Sequence, residues 1–154
     1  MLVVAAAISG CAVTAPGEID AAQAPLPPYG LVSPGQAARV IAELEGTDGF
    51  VLLDIRTEAE VAASHLSGAE TLDFYDPSFG DEIASMDRET TFLLYCRTGN
   101  RTGQASDILR DLGFARVYDL KGGLSAWTAG GFPVCSGGLT PEHVCVRFSA
   151  DPGT

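Results

Sequence analysis

Basic residues are scarce in this chain. Its 154 residues carry 9 Lys and Arg against 20 Asp and Glu, a formal net charge of −11. Such a surface repels polyanions, which excludes nucleic acid and an anionic membrane surface as partners of the folded part. Long apolar runs are also missing. The longest, Met1–Ile8, falls well short of the ~20 residues that a membrane-spanning helix needs. His143 has no ligand spacing with the cysteines near it, so no metal site is expected there. Internal repeats are absent, and nothing specifies an oligomeric state. What is present is a hydrophobic fraction of 46%, enough to bury a core, in a length that suits one domain and a tail.

The N-terminus reads as an address. An apolar stretch ends in Ile8-Ser9-Gly10-Cys11, which resembles a bacterial lipoprotein signal, although no basic residue precedes it and the stretch is short. The resemblance implies a truncated signal over residues 1–11 with Cys11 as the lipidated residue. The protein would then be exported and held in the cell envelope, touching a membrane only through that anchor. The alternative is a cytoplasmic protein in which Cys11 is incidental. Residues 12–32 follow as an Ala- and Pro-rich tether, with Pro16, Pro25, Pro27 and Pro28 disfavouring a packed core.

From Ser33 onward, strand and helix patterns alternate. Ser33-Pro34 starts a helix, with Ala37, Val40, Ile41 and Leu44 at helical spacing. Phe50–Leu53 and Thr91–Tyr95 are short continuous apolar runs, as expected of strands buried on both faces. Thr57 caps a helix reaching about His65, with Glu60 as its capping-box partner. A short strand near Thr71-Leu72, a helix over Phe79–Ser85, and a helix over Arg101–Leu112 are expected. A strand at Val117–Leu120 and a helix over Leu124–Ala129 close the series. The expected fold is therefore α/β, a mostly parallel central sheet with helices on both faces, spanning 33–134, and a C-terminal tail over 135–154.

The chemistry concentrates at Cys96-Arg97-Thr98-Gly99-Asn100-Arg101. Ligands of an open parallel sheet bind beyond the carboxyl ends of the strands, where Cys96 falls. The N–H groups from Arg97 to about Thr102 have no partners within the following helix and can turn toward an anion. The same helix end, with Arg97 and Arg101 nearby, favours thiolate over thiol. Gly99 lets the loop curl, and Asn100 tolerates unusual backbone angles. The stretch Arg88–Lys121 adds six basic residues against four acidic ones, a mildly positive region in an acidic chain where a small anion can settle.

This loop resembles the active-site loop of the rhodanese homology family, the sulfurtransferases. Other family segments stand around it in order: Leu53-Asp54-Ile55-Arg56, His65-Leu66-Ser67-Gly68-Ala69, Val117–Gly123 with Trp127, and Gly131-Phe132-Pro133. The resemblance implies a rhodanese-like fold and a Cys96 that takes the sulfane sulfur of thiosulfate or a persulfide, then passes it to a thiol or cyanide. Arg97, Thr98, Gly99, Asn100 and Arg101 would bind the small anionic donor, Arg101 also bracing the loop, with Asp54 and Arg56 as a supporting pair. Related phosphatases of this fold place one more residue between cysteine and arginine, so the loop favours sulfur over a cysteine-based phosphatase or arsenate reductase. A non-catalytic persulfide-sensing or docking module remains the alternative from another class.

Cys135 and Cys145 lie beyond the family pattern. In an exported protein they are a candidate disulfide closing a loop of about ten residues; in a cytosolic one they are free thiols. A third reading has one of them resolve the Cys96 persulfide.

Overall fold

The computed structural model describes residues 25–137 and the strand 144–146. Cys11, the apolar N-terminus and most of the tether therefore lie outside the described residues, with the export and lipidation they imply.

Two capping boxes set the helix starts. In α1 (Pro34–Leu44) the Ser33 hydroxyl accepts from Gln36 N, and the Gln36 side chain accepts from Ser33 N. In α2 (Glu58–Ala63) Thr57 and Glu60 do the same. Each box satisfies N–H groups that the first helical turn leaves unpaired. α2 ends two residues before His65, because Ser64 turns to extended backbone. The remaining elements, in chain order, are β1 (Gly30–Val32), β2 (Phe50–Asp54), β3 (Glu70–Thr71), α3 (Phe79–Ser85), β4 (Thr91–Tyr95), α4 (Asn100–Asp111), β5 (Val117–Leu120), α5 (Gly123–Ala129), β6 (Val134–Ser136) and β7 (Val144–Val146).

Five strands form one parallel sheet in the order β1-β5-β4-β2-β3. Side chains alternate across it, as the pleat requires. Leu93 and Tyr95 of β4 face a core with Ala37 and Val40 of α1 and Leu124 and Trp127 of α5. Phe92 and Leu94 face the opposite core, with Phe79 and Ile83 of α3 and Ala105 and Leu109 of α4. Cys96 continues the second set and belongs to that core. The central strands are thus buried on both faces, the reason they read as unbroken apolar runs.

The tether boundary needs correction. Gly30–Val32, assigned to the tether, is the edge strand of the sheet, with Leu31 in register with Asp119. The preceding residues are also fastened down: Pro27 O accepts from the Tyr118 hydroxyl at 3.1 Å, and the Tyr29 and Tyr118 rings lie 4.9 Å apart. A three-residue strand opening with glycine is too short to show a period, which is why the sequence pattern hides it. The tail reading changes for the same reason. β6 and β7 pair antiparallel, and β6 also bridges His65.

Candidate active site

β4 delivers the chain into the Cys96–Arg101 loop and α4 takes it out. Between them Gly99 caps α4 with φ 92°, a left-handed turn that a side chain would strain. The turn aims Gly99 N at Cys96 Sγ, 3.2 Å away. Burial pushes the Cys96 thiol up, but the backbone N–H groups of Thr102, Thr98, Gly99 and Arg101 outweigh it and hold the thiol below its ordinary range. The site is thus a thiol at the floor of a ring of N–H donors that favour its ionisation and can stabilise an anion in the same way.

Of the loop residues, Arg97, Thr98 and Asn100 are exposed at the mouth, and Gly99 is partly buried. Arg97 has no side-chain partner among the described residues and borders a cavity of roughly 320 Å³ shared with Glu60, Ser64, Ser125 and Thr128. Of the two roles expected of Arg101, receiving the donor and bracing the loop, its contacts serve the second. Its Nη1 and Nη2 donate to Glu60 Oε2 and Oε1 at 2.8 and 2.7 Å, a two-point pair that occupies the guanidinium. It also lies over the exposed Tyr75 ring, 5.7 Å from the centroid. Arg101 therefore braces the loop to α2, and Arg97 is the cation left to meet an incoming anion.

Beneath the loop, Asp54 and Arg56 form a buried pair. Asp54 accepts from Arg56 Nε at 2.8 Å, from Nη2 at 2.6 Å and from the Arg56 backbone N at 3.1 Å. Arg56 also donates to Ser64 O at 2.6 Å and Glu60 O at 3.3 Å, tying the end of β2 to the end of α2. Glu60, read from sequence only as a helix cap, is the joint of this scaffold. No local signal reveals that role, because its partner Arg101 lies 41 residues away. His65 is fully buried, its Nδ1 3.1 Å from Val61 O.

The Arg101 hydrogen bonds, helped by Thr57, outweigh burial and hold the Glu60 carboxyl down at about 2, against an ordinary 4.5. A value depressed by folding stabilises fully above the unfolded value and is lost as pH falls through the folded one. Wild type should therefore lose roughly 1–2 kcal/mol more than Glu60→Gln between about pH 5 and pH 2, allowing for the partial exposure of the pair. Urea midpoints at stepped pH check this; parallel curves would show that the pair carries no stability.

The last element of the site is the turn Gly122-Gly123. α5 begins against the loop, with Leu124 N donating to Cys96 O at 2.8 Å and Ser125 N to Arg97 O at 3.0 Å. The loop is thus held from one side by Glu60 and from the other by α5.

Cys135 is disulfide-bonded, and the β6–β7 register sets it opposite Cys145. Its own N–H and C=O are used on the other side of β6, exchanged with His65 at 2.7 and 2.8 Å. Toward β7 the pair is therefore of the non-hydrogen-bonded kind, the closer of the two cross-strand spacings and within disulfide reach.

The comparisons with known proteins agree with this geometry. A family model described as rhodanese-like domain matches residues 36–130. A sulfurtransferase of Allochromatium vinosum is 33% identical over 91 residues, covering 59% of this chain and 83% of that protein. The thiosulfate sulfurtransferase GlpE of Pseudomonas entomophila is 36% identical over 96 residues, covering 62% and 82%. Among solved structures, the rhodanese-like domain of an Anabaena protein superimposes with a TM-score of 0.57 at 27% identity, covering 80% of this chain and 89% of that one.

Proposed function

The chain belongs to the rhodanese-like domain family, and from that premise we propose that it is a sulfurtransferase whose Cys96 carries the transferred sulfur as a persulfide. The observation that carries the reading is the Cys96 sulfur at the floor of the loop, 3.2 Å from Gly99 N, with Arg97 unengaged at the mouth. The Cys96 thiolate attacks the outer sulfur of thiosulfate; a Cys96–sulfur bond forms, the donor's S–S bond breaks, and sulfite leaves with its electron pair. The outer sulfur, now anionic, lies where the N–H donors stabilise charge without rearrangement. A thiolate or cyanide then attacks that outer sulfur, and Cys96 leaves as thiolate. No proton or electron is gained or lost over the cycle. A persulfide donor enters the same way, with a thiol as the first product.

The test is turnover on the full chain with thiosulfate and a dithiol acceptor, beside a phosphate ester. Sulfite release that Cys96→Ser abolishes supports the proposal. Phosphate release instead of sulfite would move the assignment to a phosphatase, and no release of either would leave a sensing or docking module.

Cys135 and Cys145 are proposed to pair with each other rather than to resolve the persulfide, as the β6–β7 register favours. Cys135→Ser should then lower stability by about 2–3 kcal/mol while leaving the Cys96 sulfur load intact. A sulfur load that accumulates only when Cys135 is replaced would instead make it a resolving residue.

A further inference from the structure

Beside the sulfur loop runs a groove far larger than a small inorganic donor needs. Its near end is the cavity bordered by Arg97, which Ala63, Ser64 and Thr128 also line. The same three residues line a second cavity of roughly 620 Å³, which continues over Ala129 and Val134 to Cys135. The two cavities therefore form one groove between α2 and α5, starting at the loop and ending at β6. Both walls are fixed to the loop. α5 is held by Leu124 N on Cys96 O and Ser125 N on Arg97 O, and α2 by the Glu60–Arg101 pair. A body lying in the groove is thus kept in a set relation to Cys96.

Beyond its loop end the groove is mainly apolar and has few hydrogen bonds left to give. Thr128 Oγ1 lies 3.0 Å from Leu124 O and from Ser125 O, so its proton is spent on its own helix. Along the α2 wall Ala62 O accepts from Gly137 N at 3.0 Å, and Ser64 O accepts from Arg56 at 2.6 Å. His65 exchanges both of its backbone bonds with Cys135. A peptide laid here would find no main-chain partner among these groups, whereas an alkyl chain needs none. Charge points the same way. Arg56 and Glu60 line the near end but are engaged with Asp54 and Arg101, which leaves Arg97 as the unengaged charge among the described lining residues. An anionic sulfur is favoured at that end and a neutral chain beyond it. The flank of α5 from Leu124 to Ala129 is about 7–8 Å long, the span of a chain of roughly six carbons.

We propose that this groove receives the body of the sulfur acceptor and selects a thiol on a neutral alkyl chain, with Ala63, Thr128, Ala129 and Val134 setting the preference. The thiol gives its proton to solvent, and the thiolate, drawn by Arg97, attacks the outer sulfur of the Cys96 persulfide. An S–S bond forms to the acceptor, the bond from Cys96 to that sulfur breaks, and Cys96 leaves as thiolate with the electron pair. The product is an alkyl persulfide. Thiosulfate and cyanide are too small to reach past the loop end and do not use the groove.

The acceptor role rests on the sulfurtransferase reading, so the experiment has one arm that needs no sulfur transfer. In the first arm the full chain is loaded from thiosulfate, freed of donor and discharged with mercaptoethanol or mercaptohexanol, which differ only in chain length. Half-saturation should come at about tenfold lower concentration with mercaptohexanol, since a groove open to solvent realises about half of the full burial effect per methylene. In the second arm the unloaded chain is labelled at Cys96 with ethyl or hexyl methanethiosulfonate. The thiolate takes the alkylthio group, methanesulfinate leaves, and the hexyl reagent should show the same advantage. Ala63→Gln/Ala129→Gln puts polar side chains into the groove from two exposed helix ends and should bring both ratios to within about twofold. Ala59→Gln, exposed on α2 and lining neither cavity, should keep the wild-type ratios. A chain that takes no sulfur yet keeps the alkyl preference in labelling fails as a sulfurtransferase and not at the groove. Equal half-saturation and equal labelling for the two chain lengths overturn the proposal. So does a preference that survives in the double variant. Saturable discharge by a cysteine-containing peptide with no alkyl preference also overturns it and gives the groove to a polypeptide.

Discussion

Arg56→Met should destabilise the protein by about 3–5 kcal/mol, a large part of the 5–15 kcal/mol that holds a domain of this size together. The reason is what it leaves behind. Asp54 is fully buried and accepts from Arg56 through Nε, Nη2 and the backbone N. Methionine fills much of the volume but supplies no donor, so a carboxylate stays buried with one backbone N–H. The same change releases Ser64 O and Glu60 O and uncouples β2 from α2. The double variant Asp54→Leu/Arg56→Met removes both charges and should recover much of the loss, since burying an ion pair is itself costly. Urea denaturation of the three proteins checks this. A single variant within about 1 kcal/mol of wild type would mean that the pair is solvated in solution.

Gly123→Ala should cost about 10²-fold in sulfur transfer, because misplacing reacting groups by a fraction of their contact distance has effects of that order. A Cβ at Gly123 would stand 2.7 Å from Arg97 C and 2.8 Å from Arg97 O, and closer still to Cys96 O. These are backbone atoms of the sulfur loop, so no side chain can swing away to make room. The φ of +57° at this position adds a conformational penalty for any side chain. The loop must lift, and its N–H groups then lose their aim at Sγ. Gly80→Ala in α3 serves as the control, since a Cβ there meets nothing within 4 Å. Its activity should match wild type. Equal activities of Gly123→Ala and Gly80→Ala would show that the loop does not depend on the α5 contact.

The parts of the site that are contiguous in the chain are legible in the sequence. Thr91–Tyr95 announces a doubly buried strand, and the polar residues after it hold a capping glycine before an amphipathic run. Cys96 thus falls at a strand end and a helix start without knowledge of the fold. Two kinds of feature stay hidden. The first is short elements: Gly30–Val32 and the β6–β7 pair span three residues per strand, too few for a period of two to stand out. The second is long-range partnership. Glu60 satisfies its local role as a cap so well that nothing marks it as the partner against which Arg101 braces the loop. The tail lies between these cases, because the spacing of Cys135 and Cys145 permits a disulfide but only the ladder register sets them opposite each other.

The central claim is that sulfur travels on Cys96. Intact-mass spectrometry of the purified chain after exposure to thiosulfate, beside Cys96→Ser, tests it most directly. The account predicts a gain of one sulfur atom that is lost on adding cyanide or a thiol and never seen in the variant. A folded protein with Cys96 reduced that gains no sulfur from thiosulfate or from a glutathione persulfide would contradict it.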